Sequence, residues 1–189
     1  SFPKMKMQHR IVFAVTVTFL MLHSLPQVNA QPEDKALKKA VLAICKKDTN
    51  RFFRILDDYI AHPRENSSLS TAYSLRSMIQ DQKGSIDEAI KSLELALANY
   101  HGEEPIPSAD ESCNWFFDNY APEYILSEYN LLRKIATLYQ KKADFRQALL
   151  YLGKINNHNS PTFGCGNGAI MVNSSTAIQR AQCFLGISD

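Results

Sequence analysis

The chain has 189 residues, 45% of them hydrophobic and 21% charged, with 21 Lys and Arg against 19 Asp and Glu. This is enough apolar material for one buried core, and it rules out a disordered polyelectrolyte. A net charge of only +2 also argues against nucleic-acid binding through a broad basic field.

The N-terminal segment carries Lys4, Lys6 and Arg10, then an apolar run from Ile11 to Leu22, then the small-residue stretch Val28, Asn29, Ala30. This order reads as a secretory signal peptide over residues 1–30. The apolar run is short of the roughly 20 residues that a spanning helix needs, and no second run of that kind follows. A soluble mature domain over residues 31–189 is therefore expected in the periplasm or outside the cell, with no membrane association after cleavage. Without the leader, 18 basic residues face 19 acidic ones, so the mature domain is close to neutral.

Apolar periodicity then predicts helices throughout. Leu37, Ala40, Val41 and Ile44, followed by Phe52, Phe53, Leu56 and Tyr59, give two helices broken near residues 48–50 and ended by Pro63. A second pair spans about 68–100, with Tyr73, Gly84, Ser85, Glu88, Ala89, Leu93 and Ala96. A third spans about 122–156, with Leu132, Ala136, Tyr139, Asp144, Phe145, Gln147, Ala148, Leu152 and Ile155. Ser85 with Glu88, and Asp144 with Gln147, are spaced as capping boxes that start the second helix of each pair. Between these pairs lies an insertion over residues 101–121, acidic at first (Glu103, Glu104, Asp110, Glu111) and then aromatic (Trp115, Phe116, Phe117, Tyr120). Loops of this length within a compact domain are usually functional or disordered, and the aromatic end argues for burial or contact. A glycine-rich stretch with Gly164, Gly166 and Gly168 reads as a turn, and a last helix is predicted over about 174–185. The fold class is all-α, with seven helices and no sustained strand alternation.

The two better units, with a small residue in the first helix (Ala136 in the second of them) and Ala89 or Ala148 in the second helix, followed one turn later by Leu93 or Leu152, resemble the tetratricopeptide repeat family. The first pair looks like a degenerate copy, since bulky Phe52 stands where the repeat uses Ala, and the last helix resembles the capping helix that closes such arrays. The resemblance implies a short array of antiparallel helix pairs that binds a protein or peptide without catalysis or cofactor. It places Thr71, Ser74, Met78, Asp81 and Gln82, and then Asn130, Arg133, Thr137, Gln140 and Lys141, along a concave groove. Asn130, Arg133, Gln140 and Lys141 would supply polar contacts, with Trp115 and Phe116 of the insertion as aromatic anchors. Neutralisation of a periplasmic toxin or hydrolase, as an immunity protein, is an alternative within the same binding class.

All four cysteines (Cys45, Cys113, Cys165, Cys183) fall after the leader, an even number in a chain directed to an oxidising compartment. Disulfides are expected. Four cysteines allow three connectivities; a solenoid keeps its first and last helices apart, which disfavours Cys45 with Cys183. The preferred pairs are Cys165 with Cys183 and Cys45 with Cys113. Cys165 with His158 also offers the residue types of a thiolate–imidazole hydrolase, the alternative from another functional class. A disulfide in a glycine-rich turn accounts for Cys165 more simply. His62, His101 and His158 lie in different loops without ligand spacing, so no metal site is expected.

Overall fold

The computed structural model describes residues 35–64, 67–102, 104–105, 125–155 and 166–188, all within the second of the two units into which the chain divides, Asp34–Asp189. The expected leader, most of the insertion with Cys113, Trp115 and Phe116, and Cys165 lie outside the described residues. Among the described residues there are seven helices: α1 (Lys35–Cys45), α2 (Thr49–Ala61), α3 (Leu69–Gln82), α4 (Ile86–Ala98), α5 (Glu128–Lys141), α6 (Phe145–Gly153) and α7 (Gly166–Ser188). The fold is an all-α array of helix pairs.

The first three pairs are joined by the same turn. In each, one residue adopts a left-handed conformation just past the first helix: Lys47 at φ 58°, Gly84 at φ 76° and Ala143 at φ 58°. The next residue turns its N–H back five positions, from Asp48 to Ala43 O at 3.0 Å, Ser85 to Gln80 O at 2.9 Å and Asp144 to Tyr139 O at 2.9 Å. With the shorter bonds from Lys47, Gly84 and Ala143 to Ile44, Asp81 and Gln140, this is a Schellman closure that satisfies carbonyls otherwise orphaned at the helix end. The closing residue is at once the N-cap of the second helix. Asp48 and Asp144 accept from Arg51 N at 3.0 Å and Gln147 N at 3.2 Å, whereas Ser85 makes no side-chain cap bond, so the capping box expected there does not form.

This common turn fixes a common phase. Four residues past each cap stand Phe52, Ala89 and Ala148, and eight past it Leu56, Leu93 and Leu152, all buried. Seven residues before each left-handed position, Ala40, Ser77 and Ala136 are buried too. The pair containing Phe52 thus shares the geometry of the others, and its larger ring is accommodated among Ala40, Ala43 and Ala72 in the first core cluster. Packing follows chain order, with each first helix on its own second helix and each second helix on the next pair, as in a solenoid whose units touch only their neighbours. Among the described residues, three successive apolar clusters result rather than one central core.

The array is interrupted where α4 leads to α5. Glu104–Pro105 (β1) and Ile125–Leu126 (β2) pair antiparallel, Glu104 opposite Leu126 and Pro105 opposite Ile125. These two short strands are held together beside α4 and α5, with Leu126 buried in the second cluster. At the other end, α7 begins eight residues earlier than the sequence pattern predicts. Gly166 and Gly168 sit in its first turn rather than in a left-handed cross-linked turn.

Candidate functional site

Ser127 caps α5 by accepting from Asn130 N at 3.2 Å, and from that start the helix sets Tyr129, Arg133, Thr137 and Gln140 along one side. The resemblance assigns most of this line to an open groove. The structure instead lays α7 against it. Tyr129 Oη lies 3.4 Å from Thr176 Oγ1, and Gln179 Nε2 donates to Thr137 Oγ1 at 3.0 Å and to Gln140 Oε1 at 2.9 Å. Gln140 Nε2 in turn donates to Gln179 O at 3.3 Å and Cys183 Sγ at 3.0 Å. Gln140 is thus an internal strut holding the last helix. Its placement follows from α7 packing on both α5 and α6, where buried amides need partners of their own kind.

Arg133 lies over the Tyr129 ring with its guanidinium carbon 5.5 Å from the centroid, and donates from Nη1 to Tyr129 Oη at 3.3 Å. Its Nε is buried without a hydrogen-bond partner. Ser74, which occupies the matching position one unit earlier on α3, is 1% exposed and its Oγ is likewise unpartnered. Thr71 and Met78, also expected on the groove, are buried, so α3 presents no open polar face at these positions. Lys141 Nζ meets both carboxylate oxygens of Asp81, at 2.6 and 2.7 Å, and ties the C-terminal ends of α3 and α5 together. Asn130 is half-buried. The four polar residues chosen from the sequence are therefore all on α5, but Gln140 and Lys141 face partners within the chain. The anchors Trp115 and Phe116 lie outside the described residues.

Sequence reasoning overlooked a polar and aromatic node between the second and third pairs. Glu94 of α4 accepts from Tyr151 Oη at 2.6 Å and Tyr139 Oη at 3.3 Å, while the two rings stack at 5.6 Å with planes 20° apart. Lys154 covers Tyr151 from 4.4 Å. Burial, together with the adjacent Glu94 carboxylate, raises both phenols above the ordinary tyrosine value, most strongly at Tyr151. The available signal was the matched spacing of two tyrosines from the third pair, each of which reads alone as ordinary core.

Cys183 is a free, buried thiol, and its preferred link to Cys165 is not made. The reason is geometric: it points from α7 into the third cluster with Ala136, Ala148 and Leu152, where Gln140 donates to it. Burial pushes this thiol up, and the Gln140 bond only partly opposes that. Cys45 is disulfide-bonded. Its expected partner, Cys113, lies outside the described residues. His62 approaches Asp58 at 3.3 Å on the exposed surface, an i,i+4 pair at the C-terminal end of α2, where His62 is the cap residue. Among the described residues no cluster of three His, Cys, Asp or Glu side chains could hold a metal ion, and no helix is long and apolar enough to cross a membrane. No protein-family model and no curated protein matches this sequence.

Proposed function

We propose that this chain is a non-enzymatic scaffold of the tetratricopeptide type that binds a protein or peptide in the periplasm or outside the cell. The observation that carries this reading is the thrice-repeated Schellman hairpin, stacked in chain order on neighbouring units. An array of this kind builds an extended surface rather than a closed pocket, and extended surfaces suit extended ligands. The disulfide at Cys45 supports an oxidising compartment.

Internal engagement of Gln140 and Lys141 moves the expected contact surface from α5 toward the insertion. Most of that segment lies in sequence between the paired strands β1 and β2, and Trp115 and Phe116 are of the residue types enriched at interface hot spots. The test is recovery of the tagged protein from its native host with bound proteins retained. The wild type is compared with Trp115→Ala/Phe116→Ala, and with a chain in which residues 106–124 are replaced by Asn-Gly between β1 and β2. Capture by the wild type and loss by both variants, at unchanged helix content, is the expected result. A partner held equally well by the loop-exchanged chain would overturn the assignment of the insertion.

A further inference from the structure

A helix usually docks by its apolar side, and α7 does not. Of its side chains from residue 174 to 187, the buried ones are Thr176, Gln179 and Cys183, while Ile178 and Leu185 are 60% and 70% exposed. By contrast, α4 and α6 turn chiefly Ala, Ile and Leu inward. Burial of apolar area is the main force that holds one element on another, so α7 rests on α5 mostly through the amides and hydroxyls of Gln179, Gln140, Thr137, Thr176 and Tyr129. Water can replace each of these bonds, and their net worth is correspondingly small. The firmer hold is on α6, where Gly186 lies against the Phe145 ring and Arg180 donates to Leu152 O at 2.6 Å.

The seam with α5 is also incomplete. Arg133, joined to it through Tyr129 Oη, keeps a buried Nε with no acceptor, and Gln179 keeps a buried Oε1 with no donor. Each side holds an unmet group of complementary kind, and the docked position does not join them. A buried polar group without a partner weakens the docked state relative to one in which it is hydrated or paired. Arg133 is moreover a half-buried cation that, among the described residues, pairs with no carboxylate.

We infer that α7 is a strap that swings off α5, and that an extended acidic segment of the partner takes its place on Tyr129, Arg133, Thr137 and Gln140. This rests on the proposed binding of a protein or peptide and adds to it a second contact surface, closed until the strap leaves. The chemistry of the occupant follows from what α7 supplies and what it fails to supply. Gln140 Nε2 takes a main-chain carbonyl, that of Gln179, so a peptide backbone fits there. The Nε edge of Arg133 lacks an acceptor, and a carboxylate matches a guanidinium edge in both geometry and charge. An acidic segment therefore satisfies Arg133 better than α7 does, and this difference in pairing is what shifts the equilibrium toward the open form.

Cys183 reports the opening, because docking of α7 buries it against Gln140. Modification by iodoacetamide, followed at Cys183 by peptide mass mapping of the full chain, needs no partner protein. In native buffer the wild type is expected to react slowly, at a rate that depends only weakly on urea well below the unfolding midpoint, as for the opening of one helix. Hexaglutamate should raise that rate about tenfold, and hexaserine should not. Arg133→Met keeps an apolar stem over the Tyr129 ring and removes the unpaired donor, so it should lower the basal rate by about tenfold and abolish the response to hexaglutamate. A residue that merely held α7 down would change the basal rate in the opposite direction. The proposal is overturned by a urea dependence equal to that of global unfolding, by a wild-type rate indifferent to hexaglutamate, or by an Arg133→Met chain that reacts faster or still responds. Capture of the partner through the insertion is measured separately, so a failed strap leaves that reading standing and a failed capture leaves the labelling result intact.

Discussion

The three turns provide a sharp test, because two of them hold a left-handed backbone without glycine. An L-residue in that conformation costs about 1–2 kcal/mol. Glycine removes this strain but adds about 0.5–1 kcal/mol of unfolded-state entropy. Lys47 and Ala143 are exposed, so exchanging either for glycine gives up little packing. Lys47→Gly and Ala143→Gly should therefore each stabilise by about 1 kcal/mol. Gly84→Ala should destabilise by about the same amount, and for conformational reasons alone, since a Cβ built there meets nothing within 4 Å. The turns are separate, so the effects should add, and each should move Tm by about 2–4 °C in a domain of this size. Urea unfolding of the three single variants and the Lys47→Gly/Ala143→Gly double is the assay, with the slope unchanged and the midpoint displaced. If Ala143→Gly lowered the midpoint, or Gly84→Ala left it in place, the shared left-handed turn would not be what joins these helices.

Three further outcomes are expected. Gly186→Ala should destabilise by about 1–3 kcal/mol, because its Cβ would fall 2.4 Å from the Phe145 ring; adding Phe145→Leu should recover part of the loss in a thermal melt. In the native protein, Cys183 should resist a thiol reagent that labels it rapidly in guanidinium, because it is buried and its thiolate is disfavoured; equal rates in the two states would contradict the packing of α7. Tyr151→Phe removes a 2.6 Å bond to Glu94 and should cost roughly 1.5–3 kcal/mol. Because the folded-state pKa of Tyr151 is raised above 10.0, its contribution is complete below that pH and declines as pH rises beyond it. The alkaline loss of stability should be shallower in Tyr151→Phe, as read by denaturation at a series of pH values.

The helical pairs were legible in the sequence because amphipathic periodicity is a local signal. Leu37, Val41 and Ile44, or Leu132, Ala136 and Tyr139, report a helix and its buried side without reference to the rest of the chain. Asp144 also announced its cap correctly. Ser85 did not: it occupies the N-cap position, yet its side chain makes no cap bond. The kinship of the first pair with the others was obscured by Phe52 and by Lys47, which stands where a turn of this kind usually has glycine. Only the repeated backbone bonds reveal the common geometry.

The polar positions were less legible, because a hydrophilic residue on an amphipathic helix faces either solvent or another polar residue, and periodicity does not distinguish them. Gln140 looked like a groove residue until Gln179 and Cys183, about 40 positions away, were brought against it. Cys183 illustrates the same limit. Counting cysteines favoured pairing, but direction decides whether a thiol can reach a partner, and α7 turns Cys183 into the core.

By itself, then, the sequence determined the helices, their pairing and the buried stripe of each, since these depend on contacts within one hairpin. Tertiary structure alone decided which polar groups remain available, because that depends on where α7 lies. The helix closes the α5 side with its amides and leaves Ile178 and Leu185 exposed to solvent, a division set by packing between segments far apart in the chain.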